Sequence, residues 1–463
     1  MNCKIPVPFE HQTVTSDFWA KNALTFDTSD PGTGKTRSVL DGFDKSRGGA
    51  GRMLVIAPLS ILEVSWQADI QKFTPHLTSA VAHGNKDKKE KMFAQDIDIV
   101  IINHDGIKWL ANKMKEDKFF LMGFTHIAID ESTAFKNPTS QRSKAAAQVI
   151  KHFEYRTLLT GTPDPNGVCD LWHQAFLLDS GQRLGTKYFQ FRTQMCYAKQ
   201  TGPQPNMRVF VDHDDSSDKC AEALSDITIR HELENCIDMP QHIISDRILP
   251  PPPKIMAQYK YLMEHGFLEV AKGEVINPIN AGAKVKKLLQ LLSGAVYDEY
   301  GDTIFVHDKR YELIMDLVAE RQQCLVAFNW KHEKEQLCKW AEKYKMTYGV
   351  IDGSASPKQR KEIVEAFQRG EIKVIFAHPQ SAGHGLTLTA GTTTIWASPT
   401  YNAEHYTQFN KRIYRAGQRQ KTETIRIAYD GTLEIDVYEK LDSKTLKMAD
   451  LLDLFRDITQ LGE

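Results

Sequence analysis

Short apolar runs of strand length recur along the chain, separated by stretches of helical character. MLVIAPL (53–59), IDIVIIN (97–103), THIAID (125–130), RTLLTG (156–161), CLVAFN (324–329), KVIFAH (373–378) and TTIWAS (393–398) are the clearest of them. Strands alternating with helices predict mainly parallel sheets assembled from βαβ units, an α/β fold. The pattern occurs twice: one series ends near residue 163 and a second begins near residue 324. The region between reads as mostly helical, with a polar stretch, Lys199–Asp218, expected as a loop or small protrusion. Four consecutive prolines, Pro250–Pro253, cannot sit inside a helix and predict a connector or a helix start. The lobe boundary falls just ahead of them, giving a first lobe over 1–237, with a helical protrusion over about 168–235, and a second over 238–463.

The chain of 463 residues is long enough for two or three domains, each with its own core. With 41% hydrophobic and 25% charged residues it has the balance of a soluble enzyme. No apolar run reaches the 18 or so residues of a membrane span, and MNCKIPVPFE has no apolar secretory core. Seven scattered cysteines without a C-x-x-C pair argue for a reducing compartment and against zinc. The formal charge of −1 excludes nucleic-acid coating by bulk charge, so any such contact must be local. The lysine-rich stretches Lys86–Lys91 and Lys284–Lys287 read as solvated surface.

The sharpest motif is Ser29-Asp30-Pro31-Gly32-Thr33-Gly34-Lys35-Thr36. In a phosphate loop, backbone N–H groups wrap the phosphates and glycines allow the close approach. Lys35 is placed to reach the β- and γ-phosphates of ATP, and the Thr36 hydroxyl to ligate Mg²⁺. Arg37–Phe43 reads as a helix whose N-terminal dipole faces the same anion. Ser29 stands where the general pattern has Gly. Asp130-Glu131, directly after the strand-like THIAI, supplies the acidic partner: Asp130 for the metal and Glu131 as base toward the attacking water.

These motifs and the blocks around them resemble the Swi/Snf-type ATPases of helicase superfamily two, and most closely the compact members carried by bacteriophages. The resemblance runs from about residue 5 to 445. Pro8-Phe9-Glu10-His11-Gln12 is similar to the Q motif, in which Gln12 would read adenine. LVIAPLSILEVSWQADIQKF (54–73), IINHDGI (101–107), DESTAFKNPTSQRSKA (130–145), LTGTPDPNG (159–167), DGSASPKQRKEIVEAF (352–367), SAGHGLTLT (381–389) and QFNKRIYRAGQ (408–418) follow in family order. The resemblance implies two tandem RecA-like lobes with ATP between them and DNA across both. Two departures stand out: Thr133 replaces the histidine of D-E-x-H, and Asp164-Pro165 replaces the usual Leu-Gln after the coupling threonines.

The same resemblance implies that Arg412 and Arg415, expected on one face of a helix, act as arginine fingers toward the γ-phosphate. Gly32, Thr33, Gly34 and Gly385 complete the expected nucleotide contacts, and Thr160 and Thr162 would couple them to DNA. Pro58, Ser60, Asn103, Lys136, Ser381, Gly383 and Thr387 are the expected contacts to the phosphate backbone, without base readout. Trp66, Trp109, Trp172, Trp330, Trp340 and Trp396 read as core residues and receive no role. The expected activity is ATP-driven translocation on duplex DNA by a monomer, in the cytoplasm of a bacterium or a phage-infected host, with replication or recombination proteins as further partners. A strand-separating helicase, with a short hairpin within 196–220 as its wedge, and an ATP-switched DNA-binding scaffold are the alternatives.

Overall fold

The computed structural model describes residues 5–49, 51–200, 208–265, 268–269, 275–276, 281–298, 300–382 and 386–461. The chain divides into two compact units, Met1–Asp238 with Lys444–Glu463, and Met239–Ser443. Residues 444–463, which the sequence reading left in the second lobe, group with the first; of these, 444–461 form the later part of the helix Leu433–Leu461.

In the first unit the strands are β1 (Leu24–Asp27), β2 (Arg52–Ala57), β3 (Ser79–Val81), β4 (Ile99–Asn103), β5 (Phe124–Asp130) and β6 (Tyr155–Leu159). After them come a hairpin, β7 (Cys196–Gln200) with β8 (Arg208–Asp212), and the short β9 (Thr228–Ile229). All but the hairpin join one parallel sheet in the order β3-β4-β2-β5-β6-β1-β9. Alternation along the strands separates two cores. Leu54, Ile56, Val100, Ile102, Ile127 and Ile129 pack on one face; Met53, Val55, Ile99, Ile101 and Ala128 pack on the other. Strands covered on both faces are apolar at nearly every position, which is why they stand out as continuous runs in the sequence.

The second unit repeats the design. Its six-stranded sheet carries Cys324–Ala327, Val374–Ala377 and Thr393–Trp396 at its centre, all paired in parallel. The strand His242–Leu249 lies at its edge, pairing in parallel with Thr422–Tyr429 over eight positions. The sequence reading missed this edge strand because most of its residues are exposed, leaving no apolar run to find. The proline stretch ends in a helix start, Pro253–His265. Ser356-Pro357-Lys358-Gln359 opens the helix Pro357–Gln368 with a reciprocal capping box and proline at its first position. Lys199–Asp218, expected as a loop, contains most of the β7–β8 hairpin and the start of the helix Ser216–Leu224.

Candidate functional site

The carboxyl ends of β1, β2, β4, β5 and β6 lie along one edge of the first sheet, where open α/β sheets place their ligands. After β1 the chain turns through the phosphate loop into the helix Lys35–Ser46. Gly32 (φ 99°) and Gly34 (φ 87°) hold left-handed conformations that suit glycine. A Cβ on Gly34 would lie 2.2 Å from Gln12 Nε2. Gln12 donates from that nitrogen to the Thr33 carbonyl (3.0 Å), His11 Nε2 donates to the same oxygen (2.8 Å), and Gln12 Oε1 accepts from the Phe9 N–H (3.1 Å). The Q motif therefore clamps the loop from outside. Lys35 Nζ donates to the carbonyls of Ser29 (2.5 Å) and Asp30 (3.1 Å), oxygens that phosphate can replace as acceptors.

A distant segment braces the loop. Beyond β9, Arg230 donates to the Thr28 carbonyl (2.6 Å) and to Asp30 Oδ1 (3.2 Å), and the His231 N–H donates to Ser29 Oγ (3.0 Å). That last bond gives the serine at the usual glycine position a partner. Arg230 and His231 lie about 200 residues from the loop and carry no local signature.

At the end of β5, Asp130 accepts from Trp66 Nε1 through Oδ2 (2.8 Å) and from the Glu131 N–H through Oδ1 (3.0 Å). Burial, and then the charge of Glu131, push its pKa up to about 6, opposed by those hydrogen bonds and by the nearby Lys35 ammonium. Glu131 itself sits at φ 51°, a left-handed conformation rare outside glycine. Trp66, read from sequence as core without a role, is fully buried but spends its one polar atom on the acidic motif. No local signal could have found this bond, because only the fold joins positions 64 residues apart. Ser132 donates to Gln174 (2.7 Å), whose amide donates onward to the Pro163 carbonyl (2.7 Å), so a side chain missed in the sequence bridges the acidic and coupling motifs. Thr133, at the expected histidine position, is buried.

The coupling motif leaves β6 and touches the phosphate loop. The Thr160 N–H donates to the Asp27 carbonyl (3.0 Å), Thr160 Oγ1 accepts from the Thr162 N–H (3.0 Å), and a Cβ on Gly161 would meet Pro31 Cδ at 2.6 Å. Thr162 is fully buried. Asp164 is buried too, and burial together with the charges of Asp170 and Asp212 drives its carboxyl well above the usual range.

Among the expected DNA contacts, Pro58 and Ser60 open the turn after β2, and Asn103 ends β4. Lys136 is ion-paired to Asp170 Oδ2 (2.9 Å). In the second unit Ser381 lies in the short helix Pro379–Ala382, its carbonyl accepting from Arg360 (2.8 Å), and Thr387 is exposed. Gly383 and Gly385 lie outside the described residues. Arg412 and Arg415 do not share a helix: the helix Ala403–Asn410 ends before them, and they sit in the turns that follow. They are still brought together, because an Nη1 atom of each donates to the Leu386 carbonyl, at 3.3 Å and 2.8 Å.

The oxygen donors Asp130 and Thr36 suit a hard cation that keeps other ligands from water and phosphate. Among the described residues no group of three or more His, Cys, Asp or Glu side chains is placed to hold a metal ion by itself.

A glycine-rich loop braced from both sides, with a half-buried acid one loop away, places the protein among the phosphate-loop nucleotide hydrolases. The SNF2-related domain matches residues 22–268, more than half of the chain, and the helicase conserved C-terminal domain matches 309–417. The chain belongs to the SNF2-related family. It is 28% identical over 460 residues to "Putative protein p41" of Acyrthosiphon pisum secondary endosymbiont phage 1, covering 95% of this chain and 96% of that one. It is 22% identical to the "Putative ATP-dependent helicase/translocase YwqA" of Bacillus subtilis, over 94% of this chain but 47% of that protein. A SWI2/SNF2 ATPase core from Sulfolobus solfataricus, solved in complex with dsDNA, aligns over 99% of the chain at 22% identity with a TM-score of 0.44.

Proposed function

We propose that the protein hydrolyses ATP at the carboxyl edge of its first unit and uses the cycle to track along duplex DNA. The observation that carries this reading is the contact between phosphate loop and coupling motif at Pro31 and Gly161, which lets nucleotide state move the chain beyond β6. In the proposed cycle, phosphate oxygens replace the Ser29 and Asp30 carbonyls on Lys35, and the N–H groups around Gly32, Thr33 and Gly34 complete the cradle. Gln12, already bonded to the loop, links adenine contact to loop shape. Thr36 and Asp130 would hold Mg²⁺, which when bound supplies positive charge to the phosphates. Glu131 accepts the proton of the attacking water as its oxygen bonds to the γ-phosphorus and the bond to the β-phosphate oxygen breaks. Arg412 and Arg415 supply guanidinium charge in the transition state.

The DNA contacts assigned to Pro58, Ser60, Asn103, Ser381, Gly383 and Thr387 are to the phosphate backbone, which suits a chain with no net basic excess. Lys136 would join them by exchanging Asp170 for a phosphate. The protein acts as a monomer in the cytoplasm of a bacterial or phage-infected cell, alongside replication or recombination proteins; among the described residues no helix is long and apolar enough to cross a membrane.

Strand separation is the second reading, favoured by the β7–β8 hairpin, which exposes Tyr197, Val209 and Phe210. Displacement of a third strand from a blunt duplex, compared with unwinding of a forked duplex, separates the two. ATP-dependent triplex displacement without fork unwinding is expected; fork unwinding alone would favour the helicase.

A further inference from the structure

Resting on that reading, we infer that Trp66 and His104 are positioning residues that carry duplex occupancy to Asp130. Each belongs to a segment assigned to the DNA backbone, and each places one ring N–H on the same acidic residue. Trp66 Nε1 donates to Asp130 Oδ2 (2.8 Å), and His104 Nε2 donates to the Asp130 carbonyl (2.8 Å). Both rings are buried, Trp66 completely and His104 to 9% exposure, so water does not compete for either bond.

The local structure fits a lever. After Pro58 the chain makes a 3₁₀ turn, Leu59–Ile61, and then a π-helical turn, Leu62–Gln67, before regular helix begins at Ala68. A π turn is rare and is retained where a particular side-chain direction is needed. Together the two turns leave Leu59 and Val64 exposed, at 54% and 47%, while Ile61, Leu62 and Trp66 enter the core. A duplex seated on the outer side therefore presses on a segment whose inner side ends at the metal-binding carboxylate. His104 follows the end of β4 and packs edge-on against Phe135 (5.1 Å), just beyond the acidic motif. The histidine absent at Thr133 is thus matched by an imidazole that reaches the motif's backbone from another strand.

The test compares the full-length protein with Trp66→Phe, His104→Phe and His104→Gln, measuring the ratio of ATP turnover with and without duplex DNA and the duplex Kd. Trp66→Phe is expected to cut the ratio by about tenfold, the scale of one hydrogen bond to a charged group, and His104→Phe by about fivefold, the scale of one to a neutral carbonyl, with Kd changed by less than about threefold. His104→Gln, which keeps an N–H at similar reach, is expected to restore most of the ratio. With 5-fluorotryptophan incorporated, the ¹⁹F resonance missing from Trp66→Phe should shift in the parent when duplex is added without nucleotide. A DNA-stimulated parent with unaltered ratios in both Phe variants, or a Trp66 resonance that DNA does not move, overturns the inference alone. A parent not stimulated by DNA overturns the functional reading, and the inference with it.

Discussion

Each unit buries charge near the carboxyl ends of its strands, but the two treat it in opposite ways. In the second unit Arg310 and Glu434 are both fully buried and form a bidentate pair, with both oxygens 2.9 Å from Nη2, while Nη1 donates to the Ala397 carbonyl (2.6 Å). The charge is neutralised within the fold. In the first unit Asp130 has neutral donors on both oxygens and, among the described residues, no ion pair, and its pKa is pushed up to about 6. Lys35, the nearest compensating cation, spends its hydrogen bonds on loop carbonyls. A closed pair serves stability; an acid left short of positive charge is a place for a ligand to complete.

Single substitutions should separate these roles. Lys35→Ala and Asp130→Asn are expected to lower ATP turnover by at least about 100-fold, with stability altered by no more than about 1 kcal/mol, read by steady-state kinetics and denaturant midpoints. Glu434→Gln should do the reverse. It takes from buried Arg310 its ion-pair partner and costs about 3–5 kcal/mol, while KM for ATP stays near the parent value. If Glu434→Gln unfolded no more easily than Asp130→Asn, the contrast between closed and open charge would fail.

Acid should expose the second unit first. Burial lowers the pKa of His307 to about 4 and of His332 to about 3, and in the first unit that of His126 to about 4. Folding keeps these rings neutral while the unfolded chain protonates near 6.5, so their stabilising effect is whole above that pH and is lost as pH falls toward the folded values. Each loses on the order of 2 kcal/mol by pH 5, and in the second unit Glu333, whose pKa burial raises to about 7, takes up its proton over the same range and offsets about one ring's loss. Asp130, at about 6, likewise offsets part of the His126 loss in the first unit. Hydrogen exchange between pH 7 and pH 5 should show protection falling more in Met239–Ser443 than in the first unit. An even loss would place the acid sensitivity elsewhere. The smallest effect concerns the clamp on the loop: Gly34→Ala, strained at φ 87° and pressed on Gln12, should cost about 1–2 kcal/mol and weaken ATP binding, and Gln12→Ala in the same chain should recover part of the stability while leaving ATP binding weak.

What the sequence made legible follows from the range of each signal. The phosphate loop, the acid at the end of β5 and the seven apolar runs read as strands are written in contiguous residues, and those runs are strands in the fold, whereas the buried strands Leu24–Asp27, Tyr348–Ile351 and Thr422–Tyr429 were not among them. The Arg230 brace, the Trp66 bond and the Gln174 bridge join distant positions, so no local pattern announces them. The edge strand His242–Leu249 was hidden by its exposure, and the helix expected under Arg412 and Arg415 was an overextension of a periodic pattern past Asn410.

The central claim is tested most directly by ATP turnover of the purified protein, alone and with duplex DNA, single-stranded DNA or RNA, beside Lys35→Ala. Turnover raised most by duplex and abolished in the variant is the predicted result. Turnover indifferent to nucleic acid, or surviving loss of Lys35, would contradict the account.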